Sequence, residues 1–487
     1  MKHLCKRVVS FCLAATITAG ALPFAVAAQD DLRQYSETHT VSTGLTLTSG
    51  KYNSDAGAAG QTYVLDYKPN EKTRPMVVYG SKIYGKSTIN EAISYAQKQG
   101  ETVMAAINAD FFDMATGVPT GMVVREGRLC VSDGAWNAVG FFADGTAICG
   151  APKLSMYLTA EDGTRIPVYG LNKTRTAKGA YLYTNDFSSI TRVSTPGTDV
   201  VLTVPAGETL RLGVPMNLTV SAVSKGAWGV SLDETRMVLS LDDTYAGSVN
   251  LAALTAGQTL TLTCETADKR WHDVVYASGG GDMLLRDGSY TSSATSATAP
   301  RTALGVRPDG SFAMIVADGR QKGIADGASL KSVAGRLKNM GCTNVVNLDG
   351  GGSSVISSRE NGEQRVPVIS MPSDGNPRKC ANFIMFVNKG NPNQPQSAVT
   401  VFPREQTVLA GANVTLSAAM HNDDYFPFGS FGGALAIQSG DGTLNGNVLT
   451  AGAKGQILVG ADTTMAVTPA KITVTDAPAR VSLVTAG

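Results

Sequence analysis

The stretch from Gly341 to Ser354 constrains the fold of this chain more than any other. Thr343 to Leu348 is a short apolar run that predicts a buried strand, and the carboxylate of Asp349 follows at once. Three glycines and two serines come next. Glycine has no Cβ, so its backbone can take positive φ and approach a ligand closely. Successive amides in such a turn can form a concave anion site. The stretch therefore predicts an active-site edge of a sheet.

The same design, an apolar strand that ends in polar groups and glycine, occurs at four more places. They are Asn108-Ala-Asp110, Ser278-Gly-Gly-Gly-Asp282, Arg301-Thr302 and Asp318-Gly-Arg320. Five such strand ends could converge on one cleft. The fixed fork of donors on arginine suits phosphate, and aspartates can bind sugar hydroxyls or act as acid, base or nucleophile. This inventory favours an anionic, hydroxyl-rich substrate.

The alternative is that Asp-Gly pairs are only hairpin turns. That interpretation suits Asp144-Gly145 and Asp309-Gly310. It suits Asp349 less well, because three glycines and two serines exceed what a turn needs.

The N-terminus predicts export. Residues 1–28 have three basic residues, an apolar run and small residues before a cleavage point, as in a secretory signal peptide; the alternative is an uncleaved membrane anchor. No second stretch is long enough to span a bilayer, so the mature chain should have no transmembrane segment. It would carry 38 basic and 40 acidic residues, which offers no electrostatic case for nucleic-acid binding. We expect a secreted or cell-surface protein.

Histidines and cysteines exclude several mechanisms. Of the four histidines only His272 could serve the main domain, so a Ser-His-Asp triad or a multi-histidine metal site is hard to build. There is no Walker A, G-x-G-x-x-G or EF-hand pattern. We expect no cofactor and no metal ligands, although a divalent cation held by carboxylates stays open.

Five cysteines remain after export, and Cys130 and Cys149, on neighbouring predicted strands, could pair.

The chain of 487 residues is too long for one ordinary core and predicts an α+β protein of several parts. We expect a β-rich catalytic domain with a few helices packed on a mixed sheet, a β-rich insertion and a C-terminal Ig-like β-sandwich. The predicted boundaries are 1–28 for the signal peptide, 29–74 for an N-terminal arm, 75–390 for the catalytic domain with its insertion at about 150–270, 391–397 for a linker and 398–487 for the sandwich.

Two helices are predicted within the catalytic domain. Thr88-Ile-Asn-Glu91 is a capping-box pattern that begins one of them, and Gly100 ends it. The other has Leu330 and Leu337 on its apolar face and ends at Gly341.

Together, these motifs resemble the phosphodiester glycosidase family. The matching pieces stand in the family's order over roughly residues 75–390, interrupted by the β-rich segment. They are Asn108-Ala-Asp-Phe-Phe112 with Gly117 and Gly121, Ser278-Gly-Gly with Leu284-Leu-Arg-Asp-Gly288, Arg301-Thr-Ala-Leu-Gly305, Ala317-Asp-Gly319 and Asn347-Leu-Asp-Gly-Gly-Gly-Ser353.

The resemblance implies hydrolysis of a sugar-1-phosphodiester, for example of the N-acetylglucosamine-1-phosphodiester type, at the anomeric carbon. Arg301 is then the expected phosphate clamp, Asp349 the expected nucleophile or base, and Asp318 the second candidate. Asp110 and Asp113 take no catalytic role from the resemblance, because the vertebrate enzyme looks different at these positions, and Arg320 lies outside the matching pattern. The expected substrate-binding residues are Asn108, Gly280, Thr302, Asn347, Gly350, Gly351, Gly352 and Ser353.

Bacterial relatives in this family are often labelled exopolysaccharide-related, so cell-wall, capsule or other glycans are the expected targets, with the C-terminal domain binding the wall. The competing class is a non-catalytic surface protein whose cleft binds glycan.

Overall fold

The structure, a computed structural model, describes residues 31–54, 59–226 and 228–476. The predicted signal peptide lies outside these residues. Within them, no helix is both long enough and apolar enough to cross a membrane.

The N-terminal part of the described chain contributes nine strands and one helix. They are β1 (Asp31–Ser42), β2 (Leu45–Ser54), β3 (Ala59–Tyr67), β4 (Thr73–Val78), α1 (Ile89–Lys98), β5 (Thr102–Asn108), β6 (Val123–Arg125), β7 (Arg128–Val131), β8 (Asn137–Phe141) and β9 (Ala147–Gly150).

The next seven strands form a closed barrel in the order β10-β11-β12-β15-β13-β14-β16. They are β10 (Ser155–Ala160), β11 (Arg165–Leu171), β12 (Ala180–Tyr183), β13 (Gly197–Thr203), β14 (Met216–Lys225), β15 (Arg236–Asp242) and β16 (Thr259–Glu265). Apolar side chains alternate inward along these strands, as along β16, where Leu260, Leu262 and Cys264 are buried. The β-rich segment predicted at about 150–270 contains this barrel.

The chain then returns to the sheets that carry the predicted motifs. The elements are β17 (Tyr276–Gly280), β18 (Met283–Arg286), β19 (Ser289–Tyr290), β20 (Thr298–Ala299), β21 (Arg301–Val306), β22 (Phe312–Ala317), β23 (Ala328–Ser329), α2 (Leu330–Asn339), β24 (Asn344–Asn347), β25 (Ile356–Ser358) and β26 (Phe383–Asn388). Three short 3-10 helices lie at Leu251–Ala253, Lys269–Asp273 and Gly351–Ser353.

Eleven strands form the C-terminal part, in sheets of four, four and three strands. They are β27 (Ala398–Phe402), β28 (Glu405–Leu409), β29 (Asn413–Thr415), β30 (Ser417–His421), β31 (Pro427–Ser430), β32 (Leu435–Ser439), β33 (Gly442–Asn445), β34 (Val448–Ala451), β35 (Gly455–Ala461), β36 (Ala466–Thr468) and β37 (Ala470–Thr475). The Ig-like assignment and the domain boundaries stay predictions.

Three sheets enclose the main core. An eight-stranded sheet has the order β1-β2-β3-β22-β21-β24-β18-β19, a four-stranded sheet β25-β5-β26-β4 and a five-stranded sheet β7-β6-β17-β8-β9. Phe312 of β22 lies where they meet, since its ring centroid is 5.2 Å from that of Phe141 on β8 and 5.8 Å from that of Phe386 on β26. Aromatic burial at this junction holds the sheets together.

The predicted α+β class with helices packed on a mixed sheet is wrong. Among the described residues there are only two α-helices, of ten residues each, and the eight-stranded sheet is antiparallel at every pairing. Antiparallel strands can be joined by short turns, whereas parallel neighbours need a crossover, usually a helix. The abundant glycine turns therefore give an almost all-β fold.

Helix α1 begins and ends as predicted. Thr88 is its N-cap: the Thr88 hydroxyl accepts from the Glu91 N–H at 3.3 Å, and a Glu91 carboxylate oxygen accepts from the Thr88 N–H at 2.7 Å. The buried face is formed by Ile89, Ala92, Ile93 and Ala96. The capping box of the sequence is thus confirmed.

Polar contacts join the C-terminal sheets to the rest of the chain. Lys72, before β4, forms an ion pair with the buried Asp424, and Arg404 donates to Glu360 at 2.6 Å. Asp424 thus connects the C-terminal sheets to the segment before β4.

The proposed pairing of Cys130 with Cys149 does not form. Cys130 lies on β7 and Cys149 on β9, the two edges of the five-stranded sheet, and both thiols are free. Four strand spacings separate them, about 19 Å, whereas a disulfide needs Cα atoms within about 7 Å.

Removing the cap of α1 should weaken the fold by a defined amount. Thr88→Ala deletes the hydroxyl that accepts from Glu91 N–H, and we expect the free energy of unfolding to fall by about 1 kcal/mol. Thr88→Ser is the control and should retain most of the stability. Urea unfolding followed by circular dichroism measures both, and an unchanged Thr88→Ala midpoint would contradict the cap's contribution.

Candidate active site

Three neighbouring strands bring the predicted catalytic residues to one edge of the eight-stranded sheet. β21 begins at Arg301, which pairs with Ala317, the last residue of β22. Asp318 follows directly. On the other side of β21, β24 ends at Asn347, two residues before Asp349. Arg301, Asp318 and Asp349 therefore leave the sheet at the same edge.

A fourth strand end comes from the four-stranded sheet and is tied to Asp349. Asn108, the last residue of β5, is fully buried, and its Nδ2 donates to the backbone carbonyl of Asp349 at 2.6 Å. Its Oδ1 accepts from Thr302 Oγ1 at 2.9 Å and from Val355 N–H at 3.1 Å. Asn108 and Thr302 thus fix the turn that carries Asp349 through buried hydrogen bonds.

The glycines after Asp349 are required by close contacts. Gly351 has φ of 61°, and its N–H donates to Pro300 O at 2.9 Å. A methyl group on Gly352 would lie 2.0 Å from Nη2 of Arg378, and one on Gly350 would lie 3.1 Å from Pro300 O. Side chains would displace these neighbours or strain the turn.

Two guanidinium groups border this glycine turn, at Arg320 and Arg378, and the guanidinium of Arg301 lies close enough to Arg320 for their charges to interact. A methyl group on Gly351 would lie 3.1 Å from Arg320 Nη2, and burial together with Arg320 lowers the pKa of Arg301. Arg301 donates to Ala297 O at 2.8 Å and Ala328 O at 3.3 Å, which fixes its orientation. The cluster of positive charge on the glycine turn forms a candidate anion site, here called the arginine cradle.

The Asp349 carboxyl is mostly buried beside this cradle. Burial raises its pKa, while the Gly350 N–H and the charge of Arg378 act in the opposite direction. A donor and a cation directed at the carboxylate favour its charged form. Ser353 is itself buried in the 3-10 helix Gly351–Ser353, where its Oγ has no hydrogen-bond partner within the described residues.

Asp318 has a different environment. It is 2% exposed, and its Oδ2 accepts from the Met371 N–H at 3.0 Å. Burial raises the pKa of Asp318 to about 6, against hydrogen bonds from Met371 and the Tyr63 hydroxyl. The carboxyl thus fastens the loop that leads to Arg378. It lies at the shared edge, but its described partners are structural.

The fifth strand end, Ser278–Asp282, packs against β24. Gly280 lies under that strand, since a methyl group there would be 2.8 Å from Val346 Cγ2. The Gly281 N–H donates to Asn347 O at 2.7 Å. Gly280 permits close packing, and all five predicted strand ends lie together.

A buried carboxyl–lysine pair lies beneath the site and was not predicted. Asp110 is fully buried, and its Oδ2 accepts from Gly121 N–H at 2.8 Å. Burial and the charge of Asp349 raise its pKa, against the charge of Lys173. Lys173 follows β11 of the barrel and donates to Thr120 O at 2.6 Å.

The sequence carried only weak signals for these additional residues. Asp110 and Arg320 belong to the strand-end motifs Asn108-Ala-Asp110 and Asp318-Gly-Arg320. The residue pattern does not show which groups these two side chains contact. Arg378 and Lys173 lie in loops without a motif, so only the fold brings them to the site. Among the described residues, no three His, Cys, Asp or Glu side chains form a group suited to a metal ion.

Comparison with known proteins identifies a family for part of the chain. Residues 213–387 match the family model of the phosphodiester glycosidases, a stretch that starts in the barrel and ends in β26. This segment carries a phosphodiester glycosidase domain. The match includes Arg301, Asp318 and Asp349, and this family is one of hydrolases that act on phosphodiester glycosides. It covers roughly a third of the chain and leaves out Asn108.

Solved structures similar to the chain include two bacterial proteins. A hypothetical protein from Synechocystis has a TM-score of 0.59 and 19% identity over 73% of this chain, and the match spans 64% of that protein, just under two thirds of its length. A putative exported protein from Burkholderia pseudomallei has a TM-score of 0.57 and 15% identity, with 75% of this chain and 98% of that one covered. Both likenesses concern the fold.

A zebrafish N-acetylglucosamine-1-phosphodiester alpha-N-acetylglucosaminidase catalytic domain, auto-inhibited by its pro-peptide, has a TM-score of 0.35 and 13% identity over 73% of this chain and 87% of that one. That likeness is too remote to carry an argument. No curated protein matches the chain.

The environment of Asp318 in the glycosidase domain predicts a pH-dependent stability. Its folded-state pKa of about 6 exceeds the ordinary aspartate pKa of 3.8, so the folded state retains a proton that the unfolded state loses. Its contribution to stability is full below about pH 4 and decreases as the pH rises through about 6, by on the order of 2–3 kcal/mol. Asp318→Asn removes this loss.

Thermal unfolding between pH 4 and 8 measures this effect. We expect the stability of Asp318→Asn relative to wild type to increase across the window, whereas the exposed Asp162→Asn control should show no such increase. Parallel curves for the wild type and Asp318→Asn would contradict a protonated, buried Asp318.

The buried network under Asp349 should matter to stability. Thr302→Val keeps the side-chain volume but deletes the hydroxyl that donates to Asn108 Oδ1, and we expect a loss of about 1–3 kcal/mol in the free energy of unfolding. Thr302→Ser keeps the hydroxyl and is the matched control. Urea unfolding compares the two variants, and equal stability of Thr302→Val and wild type would show that the bond contributes nothing.

Proposed function

We propose that this chain is an exported hydrolase that cleaves a glycosyl phosphodiester at the anomeric carbon, giving a free sugar and a phosphomonoester. The observation that carries the proposal is the position of one mostly buried carboxylate, Asp349, beside a glycine turn that Arg320 and Arg378 border, with Arg301 close to Arg320. The family matched by residues 213–387 supports the same class of reaction.

The arginine cradle suits the phosphodiester group. Such a group carries one negative charge on two non-bridging oxygens, and a guanidinium can donate to both at once. The positive charge of Arg378 is shared with Asp374, to which its Nε donates at 2.8 Å. The charge of Arg320 disfavours the charged form of Arg301, and a bound anion would relieve that repulsion.

The leaving group determines what the catalyst must supply. A phosphomonoester is a good leaving group, so stabilising its developing charge matters more than strong acid assistance. The cradle would supply that stabilisation. Asp349 would attack the anomeric carbon or activate a water molecule, and the Gly350 N–H and the charge of Arg378 help keep it ionised. Asp318 remains the second candidate for this role.

Some of the other predicted binding residues would contact the substrate, and others would support Asp349 and its turn. Asn347 lies at the edge itself and would contact the substrate, as would the Gly350–Gly352 turn, in which the Gly351 N–H is already bonded to Pro300 O. Asn108, Thr302 and Ser353 are buried and would act by holding Asp349 and its turn. Gly280 would act by letting β17 pack closely under β24.

The setting of the reaction is also a proposal. The predicted signal peptide supports export, and cell-wall, capsule or other glycans are the proposed substrates, with the C-terminal sheets binding the wall. Three guanidinium groups can neutralise the phosphate, so we propose a reaction without a cofactor.

Substitutions at the edge should separate chemistry from phosphate binding. On a sugar-α-1-phosphodiester, Asp349→Asn should lower kcat by at least about a thousandfold, since it removes the reacting carboxylate. Arg301→Ala and Arg320→Ala should each lower kcat/KM by about ten- to a hundredfold, because a charged hydrogen bond is lost. The exposed barrel arginine variant Arg270→Ala is the matched control and should retain full activity.

Phosphomonoester release with purified full-length chain is the measurement. Full turnover by both Asp349→Asn and Arg301→Ala would reject the assignment. Activity on simple p-nitrophenyl glycosides alone would indicate an ordinary glycosidase, and glycan binding without turnover by the wild type would indicate a non-catalytic surface protein.

A further inference from the structure

Two aromatic side chains lie beside the candidate site, across β24 from Arg301. In the eight-stranded sheet β24 lies between β21, which carries Arg301, and β18, which Gly281 precedes. A methyl group on Gly281 would lie 2.8 Å from Phe111 Cε2 and 3.4 Å from Asn347 O. The Phe111 ring packs on Trp136, with ring centroids 5.6 Å apart. We call Phe111 and Trp136 the aromatic pair.

The aromatic pair is held in place by backbone hydrogen bonds. The Trp136 N–H donates to Asp133 O at 2.9 Å, and the Ala135 N–H donates to Asp133 Oδ1 at 3.2 Å. Phe111 O accepts from the Thr120 N–H at 2.8 Å. These bonds fix the turn that presents the indole, so little conformational freedom remains to be lost on binding.

Lys173 of the barrel joins the segments behind the pair. Its ammonium donates to Pro119 O and Thr120 O at 2.6 Å each, and the charges of Asp110 and Asp133 both act on it. The segment after Phe111 and the turn before Trp136 thus share one buried cation.

The pair is partly open to solvent, and an acceptor next to it has no partner. Trp136 is 38% exposed, and its backbone is held by the turn from Asp133. Asn347, whose backbone O lies beside Gly281, has a buried Oδ1 atom that makes no hydrogen bond within the described part of the chain. A ligand that brings both a hydrophobic face and a hydroxyl donor would satisfy both features.

We propose that the aromatic pair binds the sugar ring of the substrate and so orients it on Asp349. The C–H groups on one face of a pyranose would pack on the electron-rich face of Trp136, and a sugar hydroxyl would donate to Asn347 Oδ1. The phosphate would then lie across β24 on the arginine cradle, with the anomeric carbon between the two at Asp349. This inference rests on the proposed function and assigns its sugar subsite.

Ligand titrations of the full chain test the subsite separately from the cradle. The probes are inorganic phosphate and the α-1-phosphates of glucose, galactose, mannose and N-acetylglucosamine, followed by calorimetry. In the wild type at least one sugar phosphate should bind more tightly than phosphate. Trp136→Ala should weaken that sugar phosphate about tenfold, and Trp136→Phe should retain most of the affinity.

The control variants locate the effect. Inorganic phosphate should bind Trp136→Ala as it binds the wild type, and Trp228→Ala, at an indole 63% exposed on the barrel segment, should bind both classes normally. Arg320→Ala should weaken both classes. In the assay, Trp136→Ala should raise KM more than it lowers kcat.

Each contrary outcome contradicts one stated part of the proposal. If Trp136→Ala binds the sugar phosphate within twofold of the wild type, or no sugar phosphate exceeds inorganic phosphate, the aromatic pair is not the sugar subsite, while the cradle stands. If Arg320→Ala leaves phosphate binding unchanged and the wild type hydrolyses no phosphodiester, the proposed function fails, and the subsite that rests on it is overturned as well.

Discussion

The candidate site depends on one buried side chain that joins two sheets. Asn108 ends β5 in the four-stranded sheet, and its amide group bonds to Asp349 O, Thr302 Oγ1 and Val355 N–H. An amide is suited to this position because it donates and accepts at once, and burial makes each unmade bond costly. The turn that carries Asp349 is thereby fixed to a strand of another sheet. The glycines can then leave the turn open to a ligand without leaving it loose.

The sequence predicted those features that depend on residues close together in the chain. The α1 cap formed as expected because Thr88 and Glu91 satisfy each other's N–H groups whatever surrounds them. The strand ends were found for a similar reason, since an apolar run followed by Asp and glycine leaves the chain few alternatives. β21 pairs with β22 and with β24 in antiparallel register. This pairing places Arg301, Asp318 and Asp349 at the same edge of the sheet.

What the sequence did not disclose depends on pairing between distant segments. The predicted fold class was wrong because the two ten-residue helices do not form a layer, and strands from distant parts of the chain, such as β3 and β22, pair into sheets and a barrel. Cys130 and Cys149 are near in sequence, yet β17 enters between their hairpins and separates them. Arg378 reaches the glycine turn from a loop without any motif, so only three-dimensional proximity identifies it.

Two carboxyls of the site, Asp349 and Asp110, have raised pKa values because both are largely buried. Different groups oppose the shift: the Gly350 N–H and the charge of Arg378 at Asp349, and the charge of Lys173 and the Gly121 N–H at Asp110. Lys173 limits the shift of Asp110, and Lys173 belongs to the barrel. The barrel therefore contributes to the electrostatics of the site, which accords with a family match that begins within it.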